Sequence, residues 1–360
     1  MRCINIDWLE VYCFESKAHL CDKEYFERVG YVVKKRDYGT PQYKEVLTLY
    51  EYDKPFIEIR RLPYSLKRLG GIFEDNACHI RLANRACYQP NVIDVLRRFL
   101  ITHDYTYRSI TRIDICLDFI KFDNLMNPQN VIIKYMKGDY SKINQSNIAA
   151  HGKDAWDGRT WNSLKWGSPT SSISTKLYCK SLEMQEVKEK FHIEDAWTAA
   201  GIDWQNNKVW RVEFSVKTDI KGYVRLDDGE MLENKLTTYD TPERLMQVFR
   251  ILAAHYFHFK IVERTRNGDI QRKDRCKDLP LFKLKFDDAI FKPVKLTSDT
   301  EPDRTDKLLV KRLELIVKDM SLDVSYRNAA LELLKYYRVH KRIKRIADDT
   351  LIMSYYTKER

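Results

Sequence analysis

Two short stretches constrain the fold more than anything else in the chain. Residues 112–119 read RIDICLDF and residues 209–216 read VWRVEFSV. Both alternate polar with apolar at nearly every step, the signature of a half-buried strand. Successive side chains of a strand point to opposite faces. Arg112, Asp114, Cys116 and Asp118 therefore share one face, and Ile113, Ile115, Leu117 and Phe119 the other. In the second stretch Arg211, Glu213 and Ser215 oppose Trp210, Val212, Phe214 and Val216. Such segments need a sheet with one face in a core and charges on the other. Residues 4–14, 55–61 and 78–82 repeat the pattern.

Helical patterns separate these strands. Asn91 is expected to cap a helix over 92–102, where Ile93, Val95, Leu96 and Leu100 form one side. Residues 127–136, 182–190 and 194–199 are helical by period, and Gly201 stops the last. Thr241-Pro242-Glu243 opens a helix to about residue 257. Strands are expected at 163–166 and 174–180, around Gly167-Ser168-Pro169, and Asp228-Gly229 marks a hairpin turn. The polar stretch 138–163 reads as a long loop and 278–301 as a linker. Residues 306–319 and 326–346 are helical. Strands and helices mix without βαβ alternation, so the class is α+β, with largely antiparallel sheets, helices packed on one face and a helical C-terminal region. The expected division is 1–125, ending in the acidic strand, 126–285, and 300–360.

Composition narrows the function. With 22 Tyr, 15 Phe and 7 Trp in 360 residues, the chain is too aromatic for a disordered protein. No apolar run is long enough to span a bilayer, so no membrane partner is expected. Residues 1–10 lack a secretory pattern, and eight scattered Cys without a C-x-x-C suggest a cytoplasmic, reducing location. Walker, nucleophile-elbow and dinucleotide-binding glycine motifs are missing. The net charge of +11 draws polyanions, nucleic acid first among them. Six basic residues cluster within 335–345, including Lys341, Arg342, Lys344 and Arg345, on a helix suited to phosphate contact.

Asp114 and Asp118, about 13 Å apart along a strand, and Glu213, if its strand lies alongside, offer hard oxygen ligands of the kind magnesium or manganese takes. The alternative is a set of cross-strand ion pairs. In STKLYCK (174–180), Lys176, Tyr178 and Lys180 share a face. Flanking cations would stabilise the Tyr178 phenolate; the alternative is a packing tyrosine beside a phosphate-contacting lysine pair. His255 and His258 read as packing residues.

RIDICLDF (112–119), LKWGSPTSSISTKLYCK (164–180), KVWRVEF (208–214) and HYFHF (255–259), in this order, resemble the replication initiation factor family of rolling-circle plasmid initiators and conjugative-element relaxases, in its Bacteroides-type branch. The resemblance covers roughly residues 7–277, with Asp7-Trp8-Leu9 echoing the opening strand. It implies a replication initiator that nicks one strand of an origin by metal-assisted tyrosine transesterification, stays joined to the 5′ end and frees a 3′-OH. Asp114, Asp118 and Glu213 match the metal positions, for Mg or Mn. Tyr178 and Lys180 match the Tyr-x-Lys end of the middle motif, and Arg112, Lys176 and Arg211 lie beside them as DNA contacts. The expected partners are origin DNA, as an inverted repeat presented partly single-stranded, a host helicase and a second copy of the chain. The sequence departs at one point: the family's Tyr-x-Gly-Ser nucleophile position holds Lys165, which cannot form a phosphotyrosine. The other reading is therefore an origin-binding protein that does not nick.

Overall fold

The computed structural model describes residues 2–16, 21–51, 54–64, 75–143, 148–155, 158–168, 170–187, 190–217, 224–225, 231–265, 269–272, 275–282, 312–319 and 321–336. The chain divides into two units, Met1–Tyr64 with Glu74–Lys295, and Ser65–Phe73 with Leu296–Arg360.

Among the described residues, the strands up to residue 217 are β1 (Arg2–Glu15), β2 (Val32–Lys35), β3 (Tyr43–Glu51), β4 (Lys54–Pro63), β5 (Ala77–Leu82), β6 (Tyr105–Phe119), β7 (Tyr140–Lys142), β8 (Ile148–Ala155), β9 (Gly158–Trp166), β10 (Ile173–Cys179) and β11 (Trp210–Lys217). Ten of them form one sheet in the order β2-β3-β4-β5-β1-β6-β11-β10-β9-β8, antiparallel at every pairing. The α+β class with a large antiparallel sheet is as the alternation predicts. β12 (Val224–Arg225) pairs with β13 (Met231–Leu232), flanking the predicted hairpin turn, which itself lies outside the described residues. β14 (Phe259–Ile261) joins β7 and β15 (Asp278–Leu279) in a small second sheet.

The apolar sides of the strands build the core. Ile113, Ile115, Leu117 and Phe119 of β6 meet Val212, Phe214 and Val216 of β11, all within 1% of full burial. The helices α1 (Lys23–Arg28), α3 (Val92–Thr102), α4 (Pro128–Met136) and α7 (Pro242–Tyr256) contribute Phe26, Leu96, Phe99, Ile132, Val248 and Phe249 to the same cluster. Asn127 caps α4, accepting from the Gln129 N–H, and Thr241 caps α7, accepting from Arg244, with proline at the first position of each helix. Three further helices, α2 (Asn84–Cys87), α5 (Lys180–Val187) and α6 (Phe191–Ala199), serve the polar side of the sheet, where Met184, Ile193 and Trp197 pack with Cys3 of β1. Helices thus lie on both faces rather than on one.

Two expectations need correction. The polar stretch 138–163 is not a loop but carries β7, which joins the small second sheet, and β8 and most of β9, which complete one edge of the large one. The start of the expected linker is core: β15 pairs with β14, and Leu281 and Phe282 are buried. Residues 283–300 lie outside the described set.

In the second unit, helix α8 (312–318) and helix α9 (Val324–Tyr336) bury Leu313, Val317, Ala330 and Leu331. Lys341, Arg342, Lys344 and Arg345 lie outside the described residues. Among those described, no helix is long and apolar enough to cross a membrane.

Candidate active site

Strand pairing sorts the predicted residues into rows across the polar face. One row runs Lys165 (β9), Lys176 (β10), Glu213 (β11), Cys116 (β6), Asn5 (β1). The next runs Ser163, Tyr178, Arg211, Asp118, Cys3. On the other side lie Ser215, Asp114 and Trp8. Three segments far apart in sequence therefore do bring Asp114, Asp118, Glu213, Tyr178 and Lys176 to one face. Gly167 helps to set this register: its φ is +99°, and a Cβ there would meet the Ile173 carbonyl at 3.2 Å, so glycine suits the close approach of β10.

The face is not uniform, because a buried cation divides it. Arg211 is fully buried, and its Nε and Nη2 donate to Asp118 Oδ1 and Oδ2 at 2.6 and 2.7 Å. Its Nη1 donates to Asp7 Oδ1 at 2.6 Å, and Nη2 also reaches the Tyr88 hydroxyl at 2.8 Å. The Tyr88 hydroxyl donates a hydrogen bond to Asp7 Oδ1 at 2.7 Å, and the Trp197 indole N–H donates to Asp118 Oδ2 at 2.7 Å. A buried guanidinium is tolerated when its donors are matched in this way. Asp118, itself 0% exposed, has both oxygens engaged and is closed to any ligand. It is thus a structural partner of Arg211, not the metal ligand expected from the sequence. Arg211 in turn is sealed away from DNA.

Asp114 is held likewise. Arg112 donates Nε to Oδ1 at 2.9 Å and Nη2 to Oδ2 at 2.5 Å, and shares Nε with the Ser215 hydroxyl at 3.1 Å. Among the described residues no three His, Cys, Asp or Glu side chains are grouped so as to hold a metal ion. With Asp114 and Asp118 each forked by an arginine, the expected triad does not fit a divalent cation as it stands.

Glu213 is the carboxylate left at the surface of the cluster. It is partly exposed and accepts the Tyr178 hydroxyl proton at 2.9 Å on Oε2. Burial, with the negative charges of Asp7 and Asp114 nearby, raises its pKa to about 6. Asp114 is raised too, mainly by burial, with Asp7 adding to it. Asp7 itself is held well below the usual range by Arg211 and Lys180, against the cost of its burial. The mutually repelling carboxylates are therefore Asp7, Asp114 and Glu213. Asp7 went unassigned in the sequence, although its position in the opening motif was a signal. It sits where β1 bulges, between Ile6 opposite Ile115 and Trp8 opposite Asp114.

Tyr178 contradicts the phenolate expectation. It is 5% exposed, and burial plus the Glu213 charge push its pKa well above that of an ordinary phenol. The two lysines engage its ring, not its oxygen: Lys176 Nζ lies 3.8 Å and Lys180 Nζ 5.5 Å from the centroid. Lys180 is buried and paired to Glu183 at 2.6 Å; burial, aided by Arg211, lowers its pKa. Lys165 is exposed and faces Lys176 directly across the strand pair. Like charges in that position repel, and an anion between them would relieve the repulsion.

No known family matches the sequence, and no curated protein matches it. Among solved structures the chain is similar to the rolling circle replication initiator protein from Geobacillus stearothermophilus, at 14% identity and a TM-score of 0.46, over 78% of this chain and 93% of that one.

Proposed function

We propose that the chain is a replication initiator or relaxase that nicks and rejoins one strand of a rolling-circle origin through Tyr178. The observation that carries the proposal is the Tyr178–Glu213 hydrogen bond of 2.9 Å, with Glu213 titrating at about 6. A nucleophile within reach of a base poised near neutral pH is the arrangement that transesterification needs. Glu213 takes the phenol proton as Tyr178 Oη attacks phosphorus. The bond to the 3′ oxygen breaks, and that oxygen takes a proton from Lys176, leaving the 5′ phosphate on the tyrosine and a free 3′-OH. Lys165 and Lys176 hold the non-bridging oxygens. Lys180 packs against the Tyr178 ring, 5.5 Å from its centroid. No step is assigned to a divalent ion, because Arg112 and Arg211 already hold Asp114 and Asp118.

The partner is origin DNA, at least partly single-stranded where it meets Tyr178. Lys341, Arg342, Lys344 and Arg345 add phosphate contacts of their own. The test is a denaturing gel of the protein with single-stranded oligonucleotides tiling the DNA around its own coding sequence. A covalent adduct that maps to Tyr178 and is lost in Tyr178→Phe supports the proposal; a nick without adduct overturns it. The burial of Tyr178 favours one other reading, an origin-binding protein that does not nick. Specific binding without nick or adduct would establish that reading.

A further inference from the structure

Past the Tyr178 row, the polar face continues over the five strands on the far side of β6. Pairing aligns Arg112, Glu10, Arg81, Glu58, Thr48 and Lys34 from six successive strands. At ~4.8 Å per strand the row is roughly 24 Å long. Arg112, Arg81 and Thr48 are partly exposed and Lys34 is exposed. The acidic members are buried and outnumbered. Glu58 receives Arg36 at 2.6 Å, Arg60 at 2.9 Å and Arg81 at 2.8 Å. Glu10 lies 3.4 Å from Arg60 and 3.5 Å from His79.

Aromatic rings are interleaved with these cations. The Arg81 and Arg112 guanidinium carbons each lie 4.4 Å from the Trp8 ring centroid, and Lys34 lies 4.7 Å from that of Tyr50. Tyr12 and His79 meet edge to face at 5.4 Å. An ordinary ion-pair lattice on an exposed sheet balances its charges. Three guanidinium groups on one carboxylate leave a surplus that calls for an outside anion.

We infer that this face is a track for a single-stranded polynucleotide. Phosphates lie along Lys34, Arg36, Arg60 and Arg81, bases stack on the guanidinium and ring surfaces, and the strand is led toward Tyr178. The inference rests on the nicking proposal only for that last direction. Duplex DNA is the poorer fit: its bases are already stacked, and a sheet of this width does not enter a major groove about 12 Å across.

The test uses the full chain, a fluorescent dT20 oligonucleotide and anisotropy over a NaCl series in EDTA. Lys34 and Arg36 are exposed, and Glu58 keeps Arg60 and Arg81 when Arg36 is replaced; a thermal melt of Lys34→Gln with Arg36→Gln confirms the fold. Single-strand binding loses about 0.7 in salt slope per phosphate contact, so the double variant should bind with a slope shallower by about 1.4 and about tenfold more weakly at low salt. Arg81→Gln should weaken binding further. A 20-base-pair duplex should bind wild type at least tenfold more weakly than dT20 by the stacking argument. An unchanged slope and affinity in the variants, or duplex bound as tightly as dT20, overturns the inference. Tyr178→Phe should keep dT20 binding while losing the adduct. Loss of slope in the cation variants with no adduct from wild type would retain the track and reject the nicking proposal.

Discussion

Replacing Glu213 by Gln should make the protein more stable at pH 8 relative to pH 4, and inactive. The carboxyl titrates at about 6 in the folded protein against 4.5 when unperturbed. A raised folded value means that the protonated form is favoured by folding. The stabilisation is complete below the unfolded value and is lost as pH rises through about 6. The difference of roughly 1.5 units corresponds to about 2 kcal/mol lost by wild type between pH 4 and pH 8. Gln cannot ionise, keeps an oxygen to accept the Tyr178 hydroxyl, and escapes this loss. Urea unfolding of both proteins at both pH values gives the number. The difference between pH values cancels the cost of the substitution itself, and Asp7 and Asp114 titrate in both proteins. Equal pH dependence in the two would refute the assignment of the strain to Glu213. The same pKa predicts that wild-type adduct formation rises about tenfold from pH 5 to pH 7, whereas a carboxylate of ordinary pKa gives only about 1.3-fold.

Asp118→Asn should cost about 3–5 kcal/mol in urea unfolding, because it strips the buried Arg211 of its main counter-charge. Arg112→Ala should free both oxygens of Asp114 beside Glu213 and Asp7; manganese binding, read by electron paramagnetic resonance, should be tighter than for wild type, and equal affinity would refute the view that Arg112 blocks the cluster. Lys165→Gln should weaken single-strand binding and reduce the salt slope by about 0.7. Neutralising Lys341, Arg342, Lys344 and Arg345 together should flatten that slope further, and an unchanged slope would exclude their contact with phosphate.

The two alternating stretches carried most of what was legible. They predicted the central pair β6 and β11, the core residues on one side and the convergence of acidic groups on the other. The span 92–102 and the Thr241 cap were legible because local periodicity and capping chemistry decide them. The strands within 138–163 were not: β8 and the start of β9 are edge segments full of Gly, Asp, His and Lys, and their pairing comes from partners already in the sheet. The fates of Asp118 and Tyr178 were hidden for a different reason. Asp118 meets Arg211 across 93 positions of sequence, and no local pattern says which carboxylate a guanidinium will fork. Alternation placed Lys176 and Lys180 on the face of Tyr178, but not whether their ammonium groups would lie by its oxygen or over its ring.

The extra residue in β1 changes the phase of the strand. Cys3 and Asn5 face the polar side before it, Trp8 and Glu10 after it, so the count switches from odd to even at Asp7. A deletion of that single residue would restore an unbroken alternation, with Cys3, Asn5, Trp8 and Glu10 all keeping the polar side and the Asp7 carboxylate gone from the cluster. The bulge is therefore a way of adding one carboxylate to the face without moving any of its neighbours to the other side of the sheet.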